Sequence, residues 1–141
     1  MFSAKAYRRS GKWYFHAENK TTDGVWIASP PFLHSDGDSF HLGSCAKCAL
    51  AHSAEGVVHP TEWKHIFTPM LDLAGVKSWN IFARGAELVG IEMEGHTIKL
   101  TPHRNLGPKE GFDPVADLAI RLRTDASHED LGNAVLALVT P

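Results

Sequence analysis

The sequence predicts a single α+β domain spanning 1–141, an antiparallel β-sheet with helices packed on it, and three observations carry that prediction. Two pairs of alternating apolar and polar runs, at 4–18 and 87–101, are each broken by a short glycine-bearing turn, the pattern of β-hairpins. The helical stretches lie between and after these pairs instead of following every strand, so no series of crossovers is available for a parallel sheet. Finally, 141 residues, 43% hydrophobic and 21% charged, fit one ordinary globular core.

In chain order, Ala4 to Arg9, a Ser10-Gly11 turn and Lys12 to Glu18 form the first predicted hairpin, with Tyr7, Trp13 and Phe15 as large side chains. Asn19 to Gly24 is a polar break. Val25 to Ala28 reads as a short buried strand that Pro30-Pro31 should end. Residues 35–39, SDGDS, form an exposed acidic turn before a helix from about Leu42 to Ser53, which Glu55-Gly56 stops. Trp63, Phe67, Met70 and Leu71 recur at helical spacing and predict a second helix from Pro60 or Thr61 to Leu73, kinked or split by Pro69.

Ser78 then caps a short turn carrying Trp79 and Phe82. The second hairpin pairs Glu87–Glu94 with Thr97–Thr101. Leu118 to Arg123 is a further strand with Leu118, Ile120 and Leu122 on one face. Ser127, with Glu129 and Asp130 behind it, starts a last helix ending near Val139. An internal echo links 38–50 with 127–138: each places Leu-Gly (Leu42-Gly43, Leu131-Gly132) before a run of small residues. It predicts two helices docking alike, their glycines permitting close approach to the sheet.

The net charge of −2 offers no basic domain for nucleic acid. MFSAKAYRRSGKWYF lacks the apolar stretch of a secretory signal, and no run approaches the ~18 apolar residues of a membrane span. The two cysteines, three positions apart, give no disulfide framework. A cytoplasmic protein is expected, with neither a membrane nor nucleic acid as direct partner.

Cys45-Ala46-Lys47-Cys48 is the main lure toward chemistry, since a C-x-x-C at a helix start suits a redox pair or half a zinc site. His41 and His52 extend it into a stripe on one helical face, but eleven residues of helix span roughly 16 Å, too far for one ion. The echo aligns both cysteines with alanines, so core packing is the expected role, and a small thiol- or metal-dependent enzyme is the alternative. The nine histidines are scattered, and no G-x-S-x-G elbow or phosphate-binding glycine loop occurs. No catalytic residue, metal or cofactor is expected.

The connection from Pro102 to Asp117 is long for a structureless loop, and such loops are often functional. It carries His103, Arg104, Asn105, Lys109, Glu110 and Phe112 between Gly107, Pro108, Gly111 and Pro114; a self-packed loop with Leu106 and Phe112 in the core is the plainer reading. Acidic residues cluster as Asp36/Asp38 and Glu92/Glu94. They are ordinary solvated surface unless the partner is basic, in which case they speed and orient docking.

Several runs, taken in order, resemble the contact-dependent growth inhibition (CDI) immunity protein family of the CdiI type. They are Lys77-Ser78-Trp79, Phe82-Ala83-Arg84-Gly85-Ala86, Ile98-Lys99-Leu100-Thr101-Pro102, Arg104-Asn105-Leu106-Gly107, Gly111-Phe112 and Asp130-Leu131-Gly132, with a looser match at Gly24-Val25-Trp26-Ile27 and Leu42-Gly43. The resemblance implies a bacterial α+β protein that binds the C-terminal toxin domain of a large secreted exoprotein, often a nuclease. It also implies that Asn105-Leu106-Gly107 and Gly111-Phe112 maintain the fold. A stoichiometric inhibitor, not an enzyme, is therefore expected; the resemblance carries over no binding residues, and acidic charge suited to a basic toxin singles out Asp36, Asp38, Glu92, Glu94 and Glu110 as the toxin-binding residues.

Overall fold

The β1–β2 hairpin begins the chain: Phe2–Arg9 and Lys12–Thr21 pair antiparallel across Ser10-Gly11. Both turn residues have positive φ, 52° and 75°, the two-residue turn whose twist matches that of the strands. In the computed structural model, which describes residues 1–140, the chain continues through β3 (Trp26–Ser35), α1 (Ser39–His52), β4 (Glu55–Val57), α2 (Thr68–Ala74) and α3 (Trp79–Ala83). It then forms β5 (Glu87–Glu94), β6 (Thr97–Asn105), β7 (Phe112–Pro114), a 3-10 turn (Ala116–Leu118), β8 (Ile120–Arg123) and α4 (His128–Ala137).

The strands make one sheet in the order β3-β2-β1-β5-β6-β7, with β8 also on β6 and β4 on β2. Only the β2–β4 pairing is parallel. The expected α+β architecture is thus present, with both predicted hairpins side by side: Ala6 of β1 stands opposite Phe15 on one flank and Val89 on the other.

The first face of the sheet carries the main core. Ala4, Ala6, Phe15, Ala17, Val89, Ile91 and Leu100 meet Leu42, Cys45, Ala46, Ala49 and Leu50 of α1 and Leu131 and Val135 of α4. Both helices start on side-chain caps: Asp38 accepts from His41 N (3.1 Å), and Ser127 Oγ accepts from Asp130 N (3.0 Å). The Leu-Gly echo is real, but its glycines serve a different contact from the one expected. A Cβ on Gly43 would lie 1.8 Å from the His128 carbonyl oxygen, and one on Gly132 1.7 Å from that of Ser39. The close approach is helix to helix, reciprocal at the two first turns, not helix to sheet.

The second face is roofed in part. Tyr7, Tyr14 and Leu88 pack under Met70 of α2 and Phe82 of α3, with Phe67, Trp79 and Phe112 around them. Phe67 and Trp79 meet edge-on at 4.6 Å between ring centroids, the favoured geometry for aromatic pairs.

Four predicted elements differ. The strand at Val25–Ala28 does not stop at Pro30-Pro31: β3 runs on to Ser35, because the pairing jumps from Ala17–Ser29 to His16–Phe32 and leaves both prolines in a bulge of an edge strand. There no ladder N–H is required of them. Glu55-Gly56 enters β4 rather than merely ending a helix. The helix expected from residue 60 begins only at Thr68, with Pro69 in its first turn, where a missing N–H costs nothing; Trp63 is 48% exposed. The long connection is not structureless, since β6 runs to Asn105 and pairs with β7. Leu106 stays 45% exposed and Leu118 60%.

Candidate functional site

The unroofed part of the second sheet face, over β1, β5 and β6, presents a polar surface. Alternation along each strand determines its contents. Where the first face receives Ala4, Ile91 and Leu100, the second receives Ser3 and Lys5 from β1, Gly90 and Glu92 from β5, and Lys99, Thr101 and His103 from β6. Cross-strand register sorts these into rows. Ser3, Glu92, Lys99 and Arg121 form one, and Lys5, Gly90 and Thr101 the next.

Gly90, lacking a Cβ, lets the His103 imidazole settle low over the middle of this grid. Beside it lies a groove of about 290 Å³ lined by Lys5, Glu92, Lys99, Thr101, His103 and Arg121, with Pro114, Ala116 and Ala119 as its outer wall. Lys5 donates to Glu18 Oε1 at 3.0 Å, and the Ser3 hydroxyl donates to the same oxygen at 2.6 Å.

His103 stands beside Gly90, where an added Cβ would be 2.9 Å from its Nε2. Partial burial, and then the charge of Lys5, push its pKa down to about 4. Its Nδ1 is buried without a partner among the described residues. A bare lone pair is a smaller penalty there than an orphaned N–H, so the neutral ring carries its proton on Nε2, toward the groove. His16, fully buried under Phe32 and Phe67, is also pushed down to about 4 by burial. Its Nδ1 is 2.8 Å from the Ala17 carbonyl.

The five predicted acidic residues fall in three places. Glu92 and Glu94 lie at one end of the open face, bordering a shallow depression with Met1, Thr97, Lys99 and Arg121. Asp36 and Asp38 follow β3 at the opposite end: Ser35 shares a row with Glu87, and Glu94 is seven residues further along β5, roughly 23 Å at strand rise. Glu110 sits in the β6–β7 loop, beside Arg84 and Leu106. Asp38 is also occupied as the α1 cap, and Asp36 lies 3.6 Å from His34 Nε2. The structure therefore does not join the five into one patch.

Asn105 has a structural role, donating to the Ala83 and Ala86 carbonyls at 2.8 and 2.9 Å and accepting from Gly107 N at 2.8 Å. Cys45 is in the main core. Burial, then its neighbour Cys48, push its thiol up to about 11, the wrong direction for a nucleophile. Among the described residues no three His, Cys, Asp or Glu side chains are grouped to hold a metal ion, and no helix is long and apolar enough to cross a membrane.

Sequence reading missed the groove because its rows draw on strands far apart in the chain. The signal was present in the second face of the β5–β6 hairpin, where Gly90 and Glu92 alternate with core residues and Lys99, Thr101 and His103 do the same.

These features define a class first: a one-sheet α+β protein with two helices covering one face and part of the other face open. Solved structures with this fold include the following two. A protein of unknown function from Neisseria meningitidis superposes with a TM-score of 0.74 at 18% identity, covering 97% of this chain and 93% of that one. A chain of the CdiA-CT/CdiI toxin and immunity complex from Yersinia pseudotuberculosis gives 0.79 at 13% identity, covering 97% and 94%. No curated protein matches the chain. The family model for the CDI immunity protein matches residues 28–140, and the chain belongs to that family.

Proposed function

We propose that this protein is an immunity protein that binds and neutralises the C-terminal toxin domain of a CDI exoprotein, a nuclease, in the cytoplasm. It acts by stoichiometric occlusion and not by catalysis. The observation that carries this reading is the family match over 28–140, which takes in β5, β6 and β8 and hence most of the open face. In support, a structure of the same fold comes from a toxin and immunity complex.

The exposed carboxylates Asp36, Asp38, Glu94 and Glu110 steer a basic toxin surface toward the protein. Glu92 differs, because it shares a cross-strand row with Lys99 and Arg121, cations that a basic toxin surface would meet at the same place. The test is binding to, and growth rescue from, the toxin domain encoded immediately upstream, with digestion of nucleic acid by that domain measured with and without the protein. A one-to-one complex that restores growth and stops digestion is expected. An active toxin domain that neither binds nor is blocked would refute the reading. Replacing the four steering carboxylates by Lys should slow association; unchanged association at low salt for all four would remove the electrostatic part alone.

A further inference from the structure

The groove beside Gly90 is lined by more cations than anions. Three cationic side chains, Lys5, Lys99 and Arg121, and one carboxylate, Glu92, line it in a chain whose net charge is −2. Lys5 is already paired with Glu18. The other ion pairs that lysine and arginine form among the described residues are Arg8–Glu87 and Arg123–Asp125, so Lys99 and Arg121 take part in none. The Thr101 hydroxyl and the Nε2–H of His103 add neutral donors on the same face.

The missing Cβ at Gly90 gives the His103 imidazole its place, with Nε2 2.9 Å from where a Cβ would stand, so that His103 lies beside Lys5 and Thr101, the positions opposite Gly90 on either side. A carboxylate seated there accepts from donors and meets a cation in a partly desolvated recess, where charge-assisted hydrogen bonds are strong. A basic side chain would instead face two unpaired cations.

We infer that the Gly90 groove receives an acidic side chain of the toxin domain, anchored by Lys99, Thr101 and His103. This rests on the immunity reading and gives the interface a second electrostatic component, opposite in sign to the steering carboxylates.

The sign of the occupant is read by titration calorimetry against the upstream-encoded toxin domain, using the full chain and the variants Lys99→Met, Thr101→Val, Gly90→Ala and Glu92→Gln. Thermal melting of each variant alone reports folding. Lys99→Met, Thr101→Val and Gly90→Ala should each raise Kd tenfold or more, while Glu92→Gln lowers it or leaves it unchanged. If Glu92→Gln weakens binding and Lys99→Met strengthens it, the occupant is basic and the inference is overturned. Wild-type affinity across the folded variants also overturns it, by placing the contact elsewhere. An active toxin domain that fails to bind even the wild-type chain defeats the immunity reading itself, a distinguishable result.

Discussion

Replacing Gly132 by Ala should cost about 2 kcal/mol of stability, although alanine is the better helix former. The added Cβ would lie 1.7 Å from the Ser39 carbonyl oxygen, 2.5 Å from its carbon and 2.8 Å from its Cα. All three atoms are backbone, so no rotamer change relieves the clash. Restoring a normal carbon–oxygen contact requires the first turns of α1 and α4 to part by roughly 1.5 Å, a gap that forfeits much of the local dispersion attraction. The seam that opens includes Leu42, Cys45, Leu131 and Val135, all buried. Overpacking of this kind costs ~3 kcal/mol at the upper end of its usual range. Helix propensity returns ~1 kcal/mol. The net loss corresponds to a fall in Tm of about 6–10 °C for a domain of this size.

Urea unfolding followed by tryptophan fluorescence measures this directly, as a lower midpoint at an unchanged slope. Gly43→Ala should behave alike, since its clash with the His128 carbonyl is the reciprocal half of the same contact. The double variant should then lose little more than either single one, because one separation of the helices relieves both clashes. A single variant as stable as the wild type would refute the close-approach reasoning. Fully additive losses would show that the two glycines relieve separate contacts.

Three further outcomes are expected. Because His16 and His103 have folded pKa values of about 4, below the ordinary 6.5, the unfolded chain binds more protons between those values. The stability they contribute is therefore complete above pH 6.5 and is lost as the pH falls toward 4; a His16→Phe variant, which keeps the aromatic packing, should show a flatter Tm–pH profile over that window, and an unchanged slope would contradict the assignment. Asn105→Ala leaves two carbonyls and one N–H without their partner and should destabilise by about 2–3 kcal/mol in the same urea assay, against no effect if the loop is independent of it. In native thiol labelling followed by mass spectrometry, Cys48 should react well before Cys45, which is buried with its thiol pKa raised; rapid labelling of Cys45 would place it outside the core.

The hairpins and capped helices were legible because each depends on local pattern: alternation in 87–101, a turn at Ser10-Gly11, caps at Ser78 and Ser127. Features decided by distant partners were not. Pro30-Pro31 reads locally as a strand end, and only the bulge against β2 and the free edge of β3 make it tolerable. The helical spacing of Trp63, Phe67 and Met70 is genuine, yet only the last turns become helix, with Phe67 and Met70 drawn onto Tyr7 and Phe82. Leu42-Gly43 and Leu131-Gly132 announced paired helices without revealing that each glycine faces the other's helix. Of the proposed docking residues, Glu92 and Glu94 do border the open face. Sequence proximity could not show that Lys5, nearly a hundred residues away from Lys99 and Thr101, shares the same recess.

The order β2-β1-β5-β6 also governs how the protein comes into being. Each hairpin closes between near neighbours, whereas the β1–β5 seam joins Ala6 to Val89 across most of the chain. Such distant closure is the slow step in sheet proteins, placing folding nearer milliseconds to seconds than the microseconds of helical bundles. The open face has side chains on both sides of that seam. It therefore does not exist in either hairpin alone, nor on a ribosome-bound chain before β6 has emerged; competence to dock arrives late and all at once, with the closing of the sheet.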